Sequence, residues 1–289
     1  MTQFNFEGIG TKWQVDIYKE ISKSEEKDLL SLIKNRIELF DHAYSRFRDD
    51  SLVSKMSKEA GVFILPDDAK KMLELYSDLY KHTNGFFTPL VGNLLSDAGY
   101  DANYSLLQKK ELKKVPKWED VITYDYPNIT IKKPVILDFG AGGKGCLVDL
   151  VAEVLEANDV FEYCIDAGGD ILHKGNSPIK IGLENPENLD QVIGVHSLQN
   201  GSICGSAGNR RAWGNFTHIM NPKTLSSPKN ILAVWVMSET AMLSDALATC
   251  LFFVPARTLS DKYKFEYVII YSDHRVEKSD NFSGEIFSK

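Results

Sequence analysis

The sequence predicts an α+β fold, a mixed and largely antiparallel sheet packed with helices. Three observations carry this expectation. Residues 171–204 alternate short apolar runs with turns at HKGNSP, ENPEN and LQNGS, a rhythm of antiparallel pairing and not of repeated βαβ units. Two amphipathic stretches lie well upstream, Lys23–Tyr44 and one that opens at Pro66-Asp67 and runs to about His82. A strongly apolar stretch, Thr240–Val254, follows a strand-like run and has the composition of a buried helix.

In chain order, residues 10–19, GTKWQVDIYK, alternate as a strand does. In Lys23–Tyr44, positions Leu29, Leu30, Ile33, Ile37 and Phe40 make one helical stripe. SRFRDDSLVSKMSK reads as a polar turn carrying one aromatic, Phe47. The second helix places Met72, Leu75, Tyr76 and Leu79 on one face. NGFFTPLVGNLLSDAGY reads as a loop with adjacent aromatics Phe86 and Phe87. Residues 102–134 read as peripheral, lysine-rich and broken by prolines, with short strands at Val121–Tyr124 and Ile129–Ile131. Ile136–Asp170 reads as strand, glycine loop, helix, strand and a second glycine turn. GSAGNRRAWGNFTHIMNPKT is a polar, basic loop, Ile231–Val236 a strand and Tyr267–Tyr271 the closing strand. With no repeat or linker, residues 1–289 are expected to form a single domain of one or two lobes.

Composition narrows the function. Of 289 residues, 43% are apolar and 25% charged, ample for a core. Lys plus Arg is 33 against 40 Asp plus Glu, a net charge of −7 without a sustained basic run, which disfavours nucleic acid and anionic membrane as partners. Cys146, Cys164, Cys204 and Cys250 are widely spaced in apolar contexts and read as small core residues. The N-terminus as written shows neither the basic nor the apolar region of a secretion signal, and no apolar run approaches a membrane span. The expected location is cytoplasmic, or periplasmic if a signal or lipid anchor has been removed.

Gly140-Ala-Gly-Gly-Lys-Gly145 fits GxGxxG between a strand and a helix, the dinucleotide pattern. ILDFGAGGKG also resembles the first motif of SAM-dependent methyltransferases, with Asp166 in the place of their ribose-binding acid. Both alternatives need further parallel strands after residue 170, where short alternating strands stand instead. A Walker loop is excluded, since glycine follows Lys144. Lys144 near a predicted helix N-terminus suits an anion, unless it is a solvated loop lysine. Asp245 and Thr249, four apart, share a face of the apolar Thr240–Val254 helix. A buried carboxylate needs compensation, and a hard cation held by carboxylate and hydroxyl oxygen would supply it. The alternative is a carboxylate satisfied by an arginine or backbone N–H, with Thr249 bonded to its i−4 carbonyl.

A resemblance uses more of the chain. LDFGAGGKGCLVD, YCIDAGGDI, HIMNPKT and AMLSDALATCLFF are similar, in that order, to the DLGxxxKGxxxD, GGD, HIxDPxTG and DALAT motifs of the ApbE family, FAD:protein FMN transferases. NGFFTPLVG resembles that family's GAFDPxVG segment and FDHAYSRFRDDS its YxxxS element, so the likeness runs from about Gly10 to Tyr271. It implies an ApbE-like (T-fold-like) core and a Mg²⁺-dependent enzyme. FMN would pass from FAD to a Thr or Ser of an acceptor flavoprotein, with AMP released. It implies metal ligands Asp245, Thr249 and the Ala141 carbonyl. It implies flavin contacts at Ile9, Phe86, Phe87, Thr88 and Asp138, with Lys144 and His218 at the diphosphate and His218 as catalytic base. Phe47, Phe86 and Phe87 are candidates to stack on a ligand ring or to be ordinary core. Arg210 and Arg211 could face phosphates or form a surface pair, and Asp149, aligned with the end of KGxxxD, shares a polar helix face with Glu153 and Glu156 and could equally be a solvated carboxylate. The chain departs from the motifs at Asn221, Leu225, Thr88 and Asn209. These departures keep open an FAD hydrolase or a non-catalytic flavin-binding protein.

Overall fold

The structure, a computed structural model, describes residues 1–287. The elements run β1 (Thr2–Gly8), β2 (Thr11–Ile17), α1 (Lys23–Tyr44), α2 (Leu52–Lys58), β3 (Gly61–Ile64), α3 (Ala69–His82), α4 (Gly92–Asp97), α5 (Trp118–Val121), β4 (Ile122–Asp125), β5 (Asn128–Ile131) and α6 (Gly143–Glu156). The second half holds β6 (Tyr163–Ala167), β7 (Asp170–Lys174), β8 (Ile179–Asn185), β9 (Asn188–Leu198), β10 (Gly201–Ala207), β11 (Ala212–Trp213), β12 (Phe216–Thr217), β13 (Ile231–Ser238), α7 (Ala241–Cys250), α8 (Arg257–Ser260), β14 (Glu266–Tyr271), β15 (Val276–Lys278) and β16 (Glu285–Ile286). No described helix is long and apolar enough to cross a membrane.

The chain is α+β, as its sequence predicts. Eight strands form one sheet in the order β1-β2-β6-β7-β10-β13-β14-β15, and each pairing within it is antiparallel. Alternation sorts the side chains between its faces. Val234, Val236 and Ile269 join the core with α1, α6 and α7, while Ala233, Trp235, Met237, Val268 and Ile270 point to the opposite cluster with Leu183 and Phe282. Burial on both faces explains why Ile231–Val236 is a continuous apolar run.

Helix α1 begins where the sequence says it should. Ser22 accepts the Glu25 N–H while the Glu25 carboxylate takes the Ser22 N–H, a capping box, and Leu29, Ile33, Ile37 and Phe40 are buried. Other expectations are corrected. Residues 10–19 carry only the second strand of a hairpin whose first is β1. The polar segment after Tyr44 holds α2, because the Ser51 hydroxyl accepts the Ser54 N–H and starts a helix that buries Val53 and Met56. The segment read as one loop after Asn84 winds into a 3₁₀ turn, Pro89–Val91, and then α4, burying Leu90, Leu94 and Leu95. The helix read from Thr240 to Val254 is α7, shorter, with Thr240 as its cap. The basic loop contains the β11–β12 hairpin, and β15 and β16 follow the strand expected to be last.

One correction bears on the site. Ile136–Phe139 is not a strand. The Asn93 side chain accepts the Ile136 N–H at 2.8 Å, and the Pro89 carbonyl accepts the Asp138 N–H at 2.8 Å. Its backbone partners are therefore the loop and turn around α4, not a sheet, and Asp138 ends an extended wall segment.

Candidate active site

A cavity of about 1050 Å³ opens between the glycine loop, α7, the β10 end of the sheet and the segment before α2. That is at the upper end of small-molecule pockets and suits a dinucleotide-sized ligand. Every site residue expected from the sequence borders it: Ile9, Phe47, Phe86, Phe87, Thr88, Asp138, Ala141, Lys144, His218, Asp245 and Thr249.

The joint between α6 and α7 sets the frame. Gly145 lies so close to α7 that a Cβ there would strike the Ala241 carbonyl and the Cβ of Asp245. One turn later, Asp149 spans the same joint. Its two oxygens accept the N–H groups of Ala241 at 2.8 Å and Met242 at 2.9 Å, at the open N-terminus of α7. The solvated reading of Asp149 is thus corrected: α7 covers this part of the helix face, while Glu153 remains outside beside Lys71. Burial pushes the Asp149 carboxyl up to about 6, against the two N–H groups that hold it down. Asp149→Ala is expected to cost about 1–2 kcal/mol, read by denaturant unfolding, because two partly buried N–H groups lose their acceptor. Gly145→Ala is expected to cost about 1–3 kcal/mol on the same measurement and to weaken ligand binding, because the helices must separate.

Charge is concentrated at this joint. Lys144 forms an ion pair with Asp170, whose side chain is 1% exposed. The alternative of a solvated loop lysine is corrected: Lys144 is paired with Asp170 and borders the cavity. Burial opposes the Lys144 charge, but Asp170 and Asp245 outweigh it and hold the ammonium protonated. Asp245 Oδ2 accepts the Gly145 N–H at 2.9 Å, the backbone partner the alternative reading allowed. That bond does not offset the environment: burial, and then the Asp170 charge, push Asp245 up to about 7. Two buried carboxylates share one ammonium, and among the described residues no N–H or O–H group donates to the buried Asp170 Oδ1. With both carboxyls ionised the joint would carry one negative charge in excess, and it holds an orphan acceptor. Thr249, one turn beyond Asp245 on α7, and Ala141 border the same space. These hard oxygen donors beside uncompensated negative charge fit a divalent cation.

His218 donates its backbone N–H to the Arg211 carbonyl at 3.1 Å, while its ring Nδ1 is buried and unpartnered. Burial, then the Arg211 charge, lower its pKa to about 4, so the imidazole is neutral near pH 7. A neutral imidazole with an unoccupied nitrogen can accept a proton.

The aromatic residues divide. Phe86 stacks on Phe253 with the Lys223 ammonium 4.0 Å above its ring. Phe87 is 1% exposed and packs on Tyr76, so it is mainly core, and the Thr88 hydroxyl accepts the Leu90 N–H of the 3₁₀ turn at 3.2 Å. Phe47 lies parallel to Tyr104 at 5.1 Å. Ile9 and Gly10 are both left-handed at the β1–β2 turn, with φ of 46° and 73°. Arg210 pairs with Glu184 and is exposed, whereas Arg211 donates to the Tyr100 hydroxyl at 2.9 Å.

Two departures acquire a physical meaning. The Asn221 side-chain oxygen accepts the N–H groups of Lys223 and Thr224 at 2.9 and 3.1 Å, the turn an aspartate would make. Leu225 has φ of 56°, a left-handed conformation that favours glycine. Sequence reasoning missed Asp170 as a buried acid and Arg46 entirely. The GGD turn was a signal for the first; the second had none beyond its place beside Phe47.

A family model described as the ApbE family matches residues 9–265. A FAD:protein FMN transferase of Rhodobacter capsulatus is 28% identical over 226 residues, covering 73% of this chain and 43% of that protein, so the chain spans less than half of its length. A FAD:protein FMN transferase of Buchnera aphidicola is 27% identical over 262 residues, covering 82% of this chain and 75% of that protein. Among solved structures, the ApbE protein of Thermotoga maritima superposes with a TM-score of 0.83 at 20% identity, covering 97% of each chain. The flavin transferase ApbE of Vibrio cholerae does so at 0.80 and 19%, also covering 97% of each. These two likenesses concern the fold.

Proposed function

We propose a function from one premise: the chain belongs to the ApbE family. It is a FAD:protein FMN transferase. FAD occupies the cavity, a hydroxyl of Thr or Ser on an acceptor protein attacks the FMN-side phosphorus, the P–O bond to AMP breaks, and FMN is left joined by a phosphoester bond. The observation that carries this reading is the convergence of the eleven expected residues, from Ile9 to Thr249, on one cavity wall. That convergence also supports treating residues 1–289 as one catalytic unit.

His218 takes the proton that the attacking hydroxyl loses. Its neutral ring and unpartnered Nδ1 support that role. Asp245, Thr249 and the Ala141 carbonyl would hold Mg²⁺, which when bound supplies charge stabilisation at the phosphate and the departing AMP. Lys144 lies beside the carboxylates near the start of α6, where backbone N–H groups and its ammonium suit a diphosphate. Phe47, Phe86 and Ile9 offer apolar surface to the ligand rings, and Asp138, Phe87 and Thr88 shape the wall behind them.

The test is incubation with FAD, Mg²⁺ and acceptors carrying an Asp-x-x-[Ser/Thr]-Gly-Ala-[Ser/Thr]-like motif, followed by a denaturing gel viewed for flavin fluorescence. A fluorescent acceptor band with one AMP per flavin is the expected result. AMP without a labelled acceptor would mean that water is the nucleophile and the protein an FAD hydrolase. No AMP at all would reduce the function to flavin binding.

A further inference from the structure

We propose that Arg46 recognises the flat flavin ring of the substrate by donating a hydrogen bond to a ring carbonyl oxygen. The inference rests on the reading that the cavity binds FAD. Oδ1 of Asp138 accepts the Gly140 N–H at 2.8 Å, and Oδ2 accepts from Nε of Arg46. Both acceptor oxygens of Asp138 are therefore engaged within the protein. Among the described residues, the buried atom of the pair that lacks a partner is a donor, Nη2 of Arg46. The Arg46 side chain is only 4% exposed, and the residue borders the cavity.

An unsatisfied guanidinium N–H in such a place is costly, and buried donors in folded proteins normally have acceptors. Here the surroundings define the acceptor. The guanidinium lies over the Phe47 ring at 4.2 Å and near the Tyr100 ring at 4.9 Å. This packing closes Nη2 off from solvent, so its acceptor must arrive on a group that displaces part of the aromatic cluster. A flat heteroaromatic ring can do so, and Tyr104, 54% exposed yet parallel to Phe47 at 5.1 Å, already demonstrates the stacking geometry. The pair thus presents a fixed donor where Asp138 alone would present an acceptor. It favours an edge carrying acceptors alone, such as a flavin carbonyl oxygen, over the adenine edges where a ring-nitrogen acceptor stands beside the donating amine.

The experiment measures binding of FAD, FMN and ADP to the full chain, wild type and Arg46→Ala, by calorimetry and, for the flavins, by fluorescence and the visible spectrum. Loss of one charged hydrogen bond predicts that Arg46→Ala weakens FAD and FMN by at least ~10-fold while ADP changes by less than about twofold. The visible band of the bound flavin should shift as well, which a merely structural role would not produce. Arg46→Lys retains the charge but not the forked donors, so it should show the same ring-selective loss, and it decides the matter if the alanine variant does not fold. Equal losses for FAD, FMN and ADP, or no loss, would overturn the proposal while leaving flavin transfer intact. A wild-type chain that binds ADP but neither flavin would overturn both readings.

Discussion

Asp245→Ala is expected to abolish the Mg²⁺ dependence of AMP release and to lower kcat by on the order of 10³-fold. Removing the charged ligand forfeits several kcal/mol of charge stabilisation, and each ~1.4 kcal/mol is about tenfold in rate. The stability effect should run in the opposite direction, and Asp245→Asn shows it best because the side chain keeps its shape. In the metal-free protein the Asp245 carboxyl sits at about 7, above the ordinary 3.8. Its folded pKa is raised, so ionising it costs stability as pH climbs above about 4, and the cost is complete above about 7. At pH 8 without metal, the Asn variant should therefore unfold at a Tm no lower than wild type, while metal-induced stabilisation disappears. Unchanged Mg²⁺-stimulated activity in the Ala variant would remove the metal assignment. A large fall in metal-free Tm for the Asn variant would make the carboxylate structural.

His218→Ala should lower kcat by about 10²–10⁴-fold with little change in FAD affinity, the signature of a lost general base. Its pH behaviour is distinctive. Because burial and Arg211 hold the imidazole at about 4, below the ordinary 6.5, the base is free throughout the neutral range. At saturating Mg²⁺ the wild-type rate should stay flat from about pH 8 to 5 and fall only as pH approaches 4, and the variant should lack that limb. The same depressed pKa means that acidification from 6.5 toward 4 erodes folded stability, since the unfolded chain takes up the proton first. A limb near 6.5 that vanishes in the variant would instead mean an exposed histidine. Retention of full activity would remove His218 from the chemistry.

Much of this arrangement was legible because it depends on local periodicity. The Leu29–Phe40 stripe marks α1, the turns between residues 171 and 204 mark the antiparallel strands, and the four-residue spacing of Asp245 and Thr249 marks one side of α7. Other features depend on what lies opposite, which periodicity does not encode. Asp149 sits on a polar face in any helical projection of α6, yet α7 covers that position. The apolar run at Ile136–Phe139 has the composition of a strand, but its partners are Asn93 and Pro89. Phe47 was conspicuous as an aromatic in a polar segment. Arg46 beside it was one cation among 33, and only its burial sets it apart.

The clasp between α6 and α7 also bears on how the molecule comes into being. Gly145 meets Asp245 across 100 positions of chain, and Asp149 meets Ala241 across 92. Between them in sequence lie β6, β7, β10 and β13, strands of the central sheet, so the clasp closes a large loop of the chain. Contacts of such long separation cost loop-closure entropy and slow folding. Ligand competence should therefore emerge with the final, global step of folding and not with any early nucleus. A nascent or partly unfolded chain would sequester neither flavin nor magnesium, and recovery of flavin binding after dilution from denaturant would time the completion of the whole sheet.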